Sequence, residues 1–441
     1  MNFYVLIKNE YTKKTYQFNI DKTKLMGYII LNTTRDTKDT NETFGTNGTE
    51  VSLLRIFIHL NLWRDTELTE RKLRVGLIFG GRSSEHAVSL VSASSVMDHL
   101  DSSKYEVFPI GITKEGSWLP GVAPAKLLAA EQCAGNTPVL EMNATSMLTK
   151  PSSTRQPMPL VENNGWFSSN DVLDVAFPVL HGRYGEDGTL QGLLEMANVP
   201  YVGCGVMGAA LGMDKEKMKM IFRAAGLPVV DSLAFRRNEW ERSPENIVAA
   251  IEQRLSYPCF VKPANSGSSI GVSKAGNRDE LERAMKVAAD YDYKIIVERA
   301  INCRELECSV LGNDEPKPSV IGEVIINNEF YDYQAKYIDQ NSYTVVPADV
   351  PQETAEEMRR MATQAFLALD LSGLARVDFF LENQTNHIYI NEVNTLPSFT
   401  PQCMYPKLCE ASGLSYPYLL ERLIELALER HADRQRNRIT L

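Results

Sequence analysis

Four polar side chains near the C-terminus are spaced for chemistry on one face of a hairpin. In ARVDFFLE, Arg376 and Asp378 stand two apart, and in INEVN so do Glu392 and Asn394. Alternate residues of a strand share a face, so a short turn at Asn383 to Asn386 brings all four together. Two carboxylates and an amide oxygen make a hard oxygen set suited to Mg²⁺, which keeps waters and takes substrate phosphates as further ligands. An arginine beside them suits the charge of a phosphoryl group in transfer. Spacing alone equally allows an edge hairpin whose polar residues face water.

A second candidate is FVKPANSGSSIGVSK. Lys262 ends an apolar strand, and the loop from Asn265 to Gly271 is small or polar apart from Ile270. Such a loop can offer N–H groups and hydroxyls to phosphates, with the lysine as a point charge; the alternative is a flexible hairpin loop. In YKIIVERAINCRELE, Glu298 follows an apolar strand and Glu305 begins the next. A turn there can meet an adenine edge through its backbone, and a carboxylate can accept from ribose hydroxyls, although surface glutamates are common. FYDYQAKYIDQ carries Phe330, three tyrosines and Lys336, either a cover for an aromatic base or core aromatics. Glu85 falls in the first turn of a helix, where the helix dipole favours a carboxylate. It could bind an ammonium or simply complement the dipole. His181 follows an apolar strand, where ligand loops of α/β sheets lie, but a lone histidine is as readily structural.

Several common chemistries lack their signatures. No G-x-x-x-x-G-K-[ST] and no His/Cys cluster with zinc spacing occurs. Gly203-x-Gly205-x-x-Gly208 matches a dinucleotide fingerprint after the strand-like VPYV, with Asp231 further on. A strand-to-helix crossing that needs small residues explains it as well.

The elements that must position these residues alternate. LRVGLIFGG reads as a strand and SSEHAVSLVSASSVMDHL as a helix; YEVFPIGI and VLDVAFPVLHG are further strands. That alternation predicts a parallel sheet covered on both faces. A second unit from near Met213 and a third from about Ile301 mix strands with the helices DELERAMKVAADYD, TAEEMRRMATQAFLAL and SYPYLLERLIELALERHA. Residues 1–69 read as an extension outside this fold: Asn32 to Glu50 is too rich in Thr, Asn and Gly to build a core.

Composition narrows the class. The 441 residues suffice for two or three domains, and 44% apolar with 23% charged residues is ordinary for a globular protein. A formal charge of −10 argues against general binding of nucleic acid or an anionic membrane. Seven scattered cysteines without a CxxC pair read as reduced thiols of a cytoplasmic protein. Nothing approaches the roughly 20 apolar residues of a membrane span, and the N-terminus does not read as a signal peptide. The N-x-T triplets at Asn32, Asn41 and Asn47 are then coincidences of composition.

Taken in order, FGGRSSEH, HGRYGEDGTLQG, MDKEKMK, VKPANSGSSIGVSK, VERAINCRELE, YDYQAKY, ARVDFF and INEVNTLPSFT resemble the D-alanine–D-alanine ligases of the ATP-grasp superfamily. The resemblance runs from about Leu73 to His431. It implies an α/β architecture, α+β in the ATP-binding part: an ATP-grasp fold behind an N-terminal parallel-sheet domain. The domains would be 70–204 for substrate, 205–298 central, and 299–441 for ATP and metal.

The resemblance also implies roles. Lys215, Lys262 and Lys336 meet ATP phosphates, the linker from Glu298 meets adenine, Glu305 the ribose, and Phe330 packs on the base. Asp378, Glu392 and Asn394 hold two Mg²⁺ (or Mn²⁺) ions. Glu85 binds the first D-alanine's ammonium, linked through Ser268 to Tyr337, and Arg376 with an N–H near Ser398 forms an oxyanion hole. His181, Ser398 and Cys403 fall in the substrate region. The partners implied are ATP, D-alanine and a second copy of the chain. Tyr337 fits the peptide-forming members rather than those that make an ester. Ser398 and Cys403 depart from the family's usual glycine and serine.

Overall fold

The computed structural model describes residues 2–9, 12–19, 71–133, 173–325, 343–400 and 403–438. Phe330, Lys336 and Tyr337 lie outside them. The chain divides into two units, Met1–Glu67 and Leu68–Leu441. The first contains an antiparallel hairpin, β1 (Asn2–Asn9) with β2 (Thr12–Asn19), in register from Asn2↔Asn19 to Asn9↔Thr12. The tract from Asn32 to Glu50 lies outside the described residues.

The second unit begins with β3 (Leu73–Gly80), α1 (His86–His99), β4 (Tyr105–Ile112), β5 (Trp118–Pro120), α2 (Pro124–Cys133), β6 (Val175–Pro178) and α3 (Thr189–Met196). The sheet order is β5-β4-β3-β6, with β3 parallel to β4 and β6 and β5 antiparallel at the edge. Val75, Leu77, Ile78 and Phe79 are buried, as the continuous apolar run of a strand covered on both faces requires. Gly80 has φ +89°, and a Cβ there would lie 2.2 Å from the Ile112 carbonyl, so only glycine makes this turn into α1.

Next come α4 (Val206–Met213), α5 (Lys215–Ala224), β7 (Ser232–Arg236), α6 (Arg237–Arg242), α7 (Pro244–Arg254), β8 (Cys259–Pro263), β9 (Ser273–Ala275), α8 (Arg278–Tyr291) and β10 (Lys294–Arg299). The sheet β7-β10-β8-β9 is antiparallel, over a core that includes Trp240, Ile251, Val261, Met285 and Ile295. Asp214 caps α5 by accepting from the Lys217 N–H at 3.1 Å.

The last stretch holds β11 (Cys303–Gly312), β12 (Lys317–Ile325), β13 (Tyr343–Val345), α9 (Gln352–Ala368), β14 (Gly373–Glu382), β15 (Ile388–Asn394), α10 (Met404–Ala411) and α11 (Tyr416–Arg434). Its sheet runs β13-β12-β11-β14-β15, antiparallel. Met358, Met361, Ala362, Ala365 and Phe366 repeat at helical spacing, and that stripe of α9 is buried against the sheet. The end of the chain does something else. Leu419, Leu420, Leu423 and Ile424 of α11, with Leu396, Phe399 and Tyr405, share one core with Val75, Phe79 and Phe177 of the first sheet. The segment after β15 is therefore built onto the first sheet as well as the last.

The dinucleotide-like glycines belong to this junction. The Gly203 carbonyl accepts from Arg430, which also donates to the Tyr201 carbonyl at 3.0 Å and to Ser372 Oγ at 2.8 Å. A Cβ on Gly208 would stand 2.8 Å from the Asp370 carbonyl. Asp231 is exposed and pairs with Arg254 at 3.8 Å. Gly203 and Gly208 serve close packing here, while Gly205 has open space around it and is the N-cap residue of α4.

Candidate active site

A cavity of about 750 Å³ opens between the β8–β9–β10 face and the β11–β12–β14–β15 face, and Lys215, Phe260, Lys262, Glu298, Glu305, Asp378 and Glu392 all line it. These residues span 178 positions of sequence, and the two facing sheets bring them together.

The hairpin forms in the register that alternation requires. Arg376 faces Asn394 and Asp378 faces Glu392 across β14 and β15. Arg376 donates from Nε and Nη2 to both Asp378 oxygens at 2.7 Å, and its Nε lies 2.9 Å from Glu307 Oε2. Burial works against its charge, but Asp378 and Glu307 outweigh that and hold its pKa well above the usual arginine value. Asn394 Nδ2 donates to Asp378 Oδ2 at 2.8 Å, and Lys215 Nζ stands 3.1 Å from Glu392 Oε2. Among the described residues no three acidic, His or Cys side chains converge into a ready-made cation cage. Asp378, Glu392 and the Asn394 amide do match the oxygen set of a hard cation that draws its other ligands from phosphates and water.

In the same cavity Glu298 is only 2% exposed and lies between two ammonium groups, Lys262 at 2.7 Å and Lys219 at 3.1 Å. Burial alone would raise the Glu298 pKa; Lys219 and Lys262 overcome it and hold it at about 2. Burial and the neighbouring Lys262 lower the Lys219 pKa. Sequence reading did not single out Lys219. Its signal was helical: it sits beside Met218 and near Phe222, on the buried side of α5. The Glu298 carboxylate is thus committed to anchoring lysines, and its backbone begins the linker that the resemblance sets against adenine.

Glu85 is cradled by two glycines. A Cβ on Gly182 would lie 2.6 Å from Glu85 Oε2, and one on Gly267 2.8 Å away. Ser268 Oγ donates to Glu85 Oε1, which joins the central loop to the start of α1. Ser268 and Ser269 hold φ of +47° and +57°, sparsely populated for non-glycine residues and concentrated at functional loops.

His181 lies close by, buried, with Nδ1 donating to the Leu396 carbonyl at 3.1 Å and Nε2 3.3 Å from Ser92 Oγ. Burial lowers its pKa despite the nearby Glu85. Glu186 accepts from the Gly182 N–H at 2.7 Å and the Leu396 N–H at 3.0 Å. Burial and the Glu85 charge push its carboxyl up to about 8, against the pull of those two N–H groups and Arg376. Glu186, Ser92 and Glu307 were also missed in the sequence; a glutamate in a Gly/Asp-rich loop carries no local sign of burial.

Ser398 is not among the described non-glycine residues with positive φ, so serine sits there without backbone strain. Cys403 caps α10 and lies 2.7 Å, through Sγ, from Thr400 Oγ1.

Two family models match the chain: D-ala D-ala ligase N-terminus over residues 74–204 and D-ala D-ala ligase C-terminus over residues 221–425. The D-alanine--D-alanine ligase of Ruminiclostridium cellulolyticum is 50% identical over 374 residues, covering 83% of this chain and 98% of that protein. The chain belongs to the D-alanine–D-alanine ligase family. Another member, from Acetivibrio thermocellus, is 49% identical over 368 residues, 82% of this chain and 97% of that one. Among solved structures, the D-alanine-D-alanine ligase from Coxiella burnetii matches with a TM-score of 0.68 at 34% identity, over 82% of this chain and 96% of that one. The VanG D-Ala:D-Ser ligase from Enterococcus faecalis matches at 0.67 and 35% identity, over 81% and 100%. The fold is accordingly the family's ATP-grasp, and the unmatched first seventy or so residues include the separate hairpin unit. The six described cysteines whose side chains are placed are free thiols, and no described helix is long and apolar enough to cross a membrane.

Proposed function

We propose that the chain joins two D-alanine molecules into D-alanyl-D-alanine at the expense of ATP, in the cytoplasm, for peptidoglycan precursor synthesis. The observation that carries this reading is the meeting, in one cavity, of Lys215 and Lys262 with Asp378 and Glu392. Lysines able to hold phosphates beside carboxylates able to hold a hard cation support phosphoryl transfer. The first D-alanine's carboxylate attacks the γ-phosphate; ADP leaves and an acyl phosphate forms. The second D-alanine's amine, having lost its proton, attacks the acyl carbon, and phosphate leaves from the tetrahedral intermediate.

Each residue has a task in this scheme. Lys215 and Lys262 hold the phosphates, and Glu298 holds Lys262. Glu85, kept in place by Ser268, binds the first ammonium, and Tyr337 extends that link. Arg376 and the Ser398 N–H stabilise the oxyanion, while Lys336 and Phe330 complete the nucleotide site, with Glu305 at the ribose. Asp378, Glu392 and Asn394 would hold two Mg²⁺ (or Mn²⁺) ions, whose chemistry is neutralisation of phosphate charge. The working form proposed is a homodimer.

The test is phosphate release with ATP, Mg²⁺ and D-alanine, against L-alanine and no amino acid, with the product weighed by mass spectrometry. Release only with D-alanine, together with the dipeptide mass, is expected. ATP turnover without that mass would sink the assignment of D-alanine as acceptor.

A second acceptor is worth one arm, because a D-Ala:D-Ser ligase is among the structures this chain resembles. Cys403 stands where the family usually has serine, and a thiol donates weakly. Cys403→Ser is expected to lower KM for the second D-alanine by roughly three- to tenfold, the worth of one modest hydrogen bond, with kcat little changed. Steady-state kinetics at saturating ATP checks it.

A further inference from the structure

The polar backbone atoms on either side of Pro397–Ser398 are held by side chains from the first sheet's domain. Leu396 is gripped twice: its carbonyl accepts from His181 Nδ1 at 3.1 Å, and its N–H donates to Glu186 Oε1 at 3.0 Å. Beyond Ser398, the Phe399 N–H donates to Ser92 Oγ at 3.3 Å, and the same hydroxyl is 3.3 Å from His181 Nε2. Glu186 is itself fixed, since Oε2 accepts from the Gly182 N–H at 2.7 Å, and Ser83 Oγ donates to the His181 carbonyl at 2.7 Å. Phe399 is fully buried and packs edge-on to Phe177 with ring centroids 5.8 Å apart. The two residues between these pins have little freedom left. A loop after an edge strand is ordinarily a mobile element; this one is held from outside its own sheet.

We propose that Glu186 and Ser92 are positioning residues that hold the Ser398 N–H where the oxyanion of the second chemical step develops. The inference rests on the oxyanion role given to Ser398 above. It separates two steps that share one cavity. Acyl-phosphate formation needs the lysines, Arg376 and the β14–β15 hairpin, not the Ser398 N–H. Collapse of the second amine onto the acyl carbon needs an N–H aimed at the new oxyanion, and misplacing such a donor by about 1 Å costs on the order of 10²-fold.

The experiment uses Glu186→Gln, which keeps the shape but sets an amide N–H against a backbone N–H that now needs an acceptor. Two rates are read in the full-length enzyme with D-alanine: dipeptide formation, and exchange of the bridging oxygen in ¹⁸O-labelled ATP, which reports reversible acyl-phosphate formation. A fall of about 30- to 100-fold in dipeptide kcat is expected, with isotope exchange and KM for ATP within fivefold of the parent. A dipeptide kcat within fivefold of the parent overturns the proposal. So does a matched fall in both rates, which would mark Glu186 as merely structural. If the variant does not fold by thermal melt, Ser92→Ala decides by the same criteria. Absence of D-alanine-dependent exchange in the parent enzyme would instead overturn the ligase reading.

Discussion

Arg376→Met is expected to lower dipeptide kcat about 10³-fold, the upper range for loss of an oxyanion donor in a preorganised site, and to destabilise the fold at the same time. The guanidinium holds both Asp378 oxygens at 2.7 Å and faces Glu307 at 2.9 Å. Its removal takes away the cation shared by two carboxylates that are both largely shielded from water. Breaking one side of such an arrangement costs roughly 3–5 kcal/mol, which denaturant unfolding without ligands reads directly. Arg376→Lys separates the two effects. It restores charge but not the two-pronged geometry, so stability should recover further than kcat. A kcat within tenfold of the parent for the methionine variant would remove Arg376 from the chemistry.

The second large effect concerns Glu298, the only carboxylate paired with either Lys219 or Lys262 among the described ion pairs. Glu298→Gln takes the paired carboxylate from the buried Lys219 and the half-buried Lys262 and leaves them the weaker pull of Glu392, at a cost again of roughly 3–5 kcal/mol. Lys219 is already biased toward its neutral form by burial and by Lys262, and it should release its proton first. Lys262 then loses the anchor that points it into the cavity, and KM for ATP should rise about tenfold or more. The pH dependence has a definite sign. The Glu298 pKa in the fold is about 2, below its ordinary value of 4.5. Its contribution, roughly 3 kcal/mol, is therefore complete above pH 4.5 and disappears as pH falls toward 2. Unfolding free energies between pH 6 and 3 should show this acid loss in the parent and a shallower one in the variant. Identical slopes would mean that Glu298 is not held ionised by its lysines.

Part of this site was legible in the residues alone. Arg376, Asp378, Glu392 and Asn394 share a face because strand alternation and a short turn are local rules, and the observed pairing Asp378↔Glu392 follows from them. The parallel part of the first sheet, β4-β3-β6, was legible from the alternation of strands with helices, whereas its antiparallel edge strand β5 was not. The glycines at Gly203, Gly205 and Gly208 were ambiguous, since the spacing that admits a pyrophosphate also admits Arg430 and the Asp370 carbonyl.

What only the tertiary structure decided are the partnerships between distant segments. Lys219 with Glu298, Lys215 with Glu392, Ser268 with Glu85, and Glu186 with Leu396 each join residues on different elements. Periodicity says which face a side chain occupies, not which face of another element it will meet. That is set by how the sheets pack, and here by α11 lying in the core of the first sheet. The residue types and local geometry of the chemistry were therefore written in the chain, while the charge pairing that tunes it arose from packing.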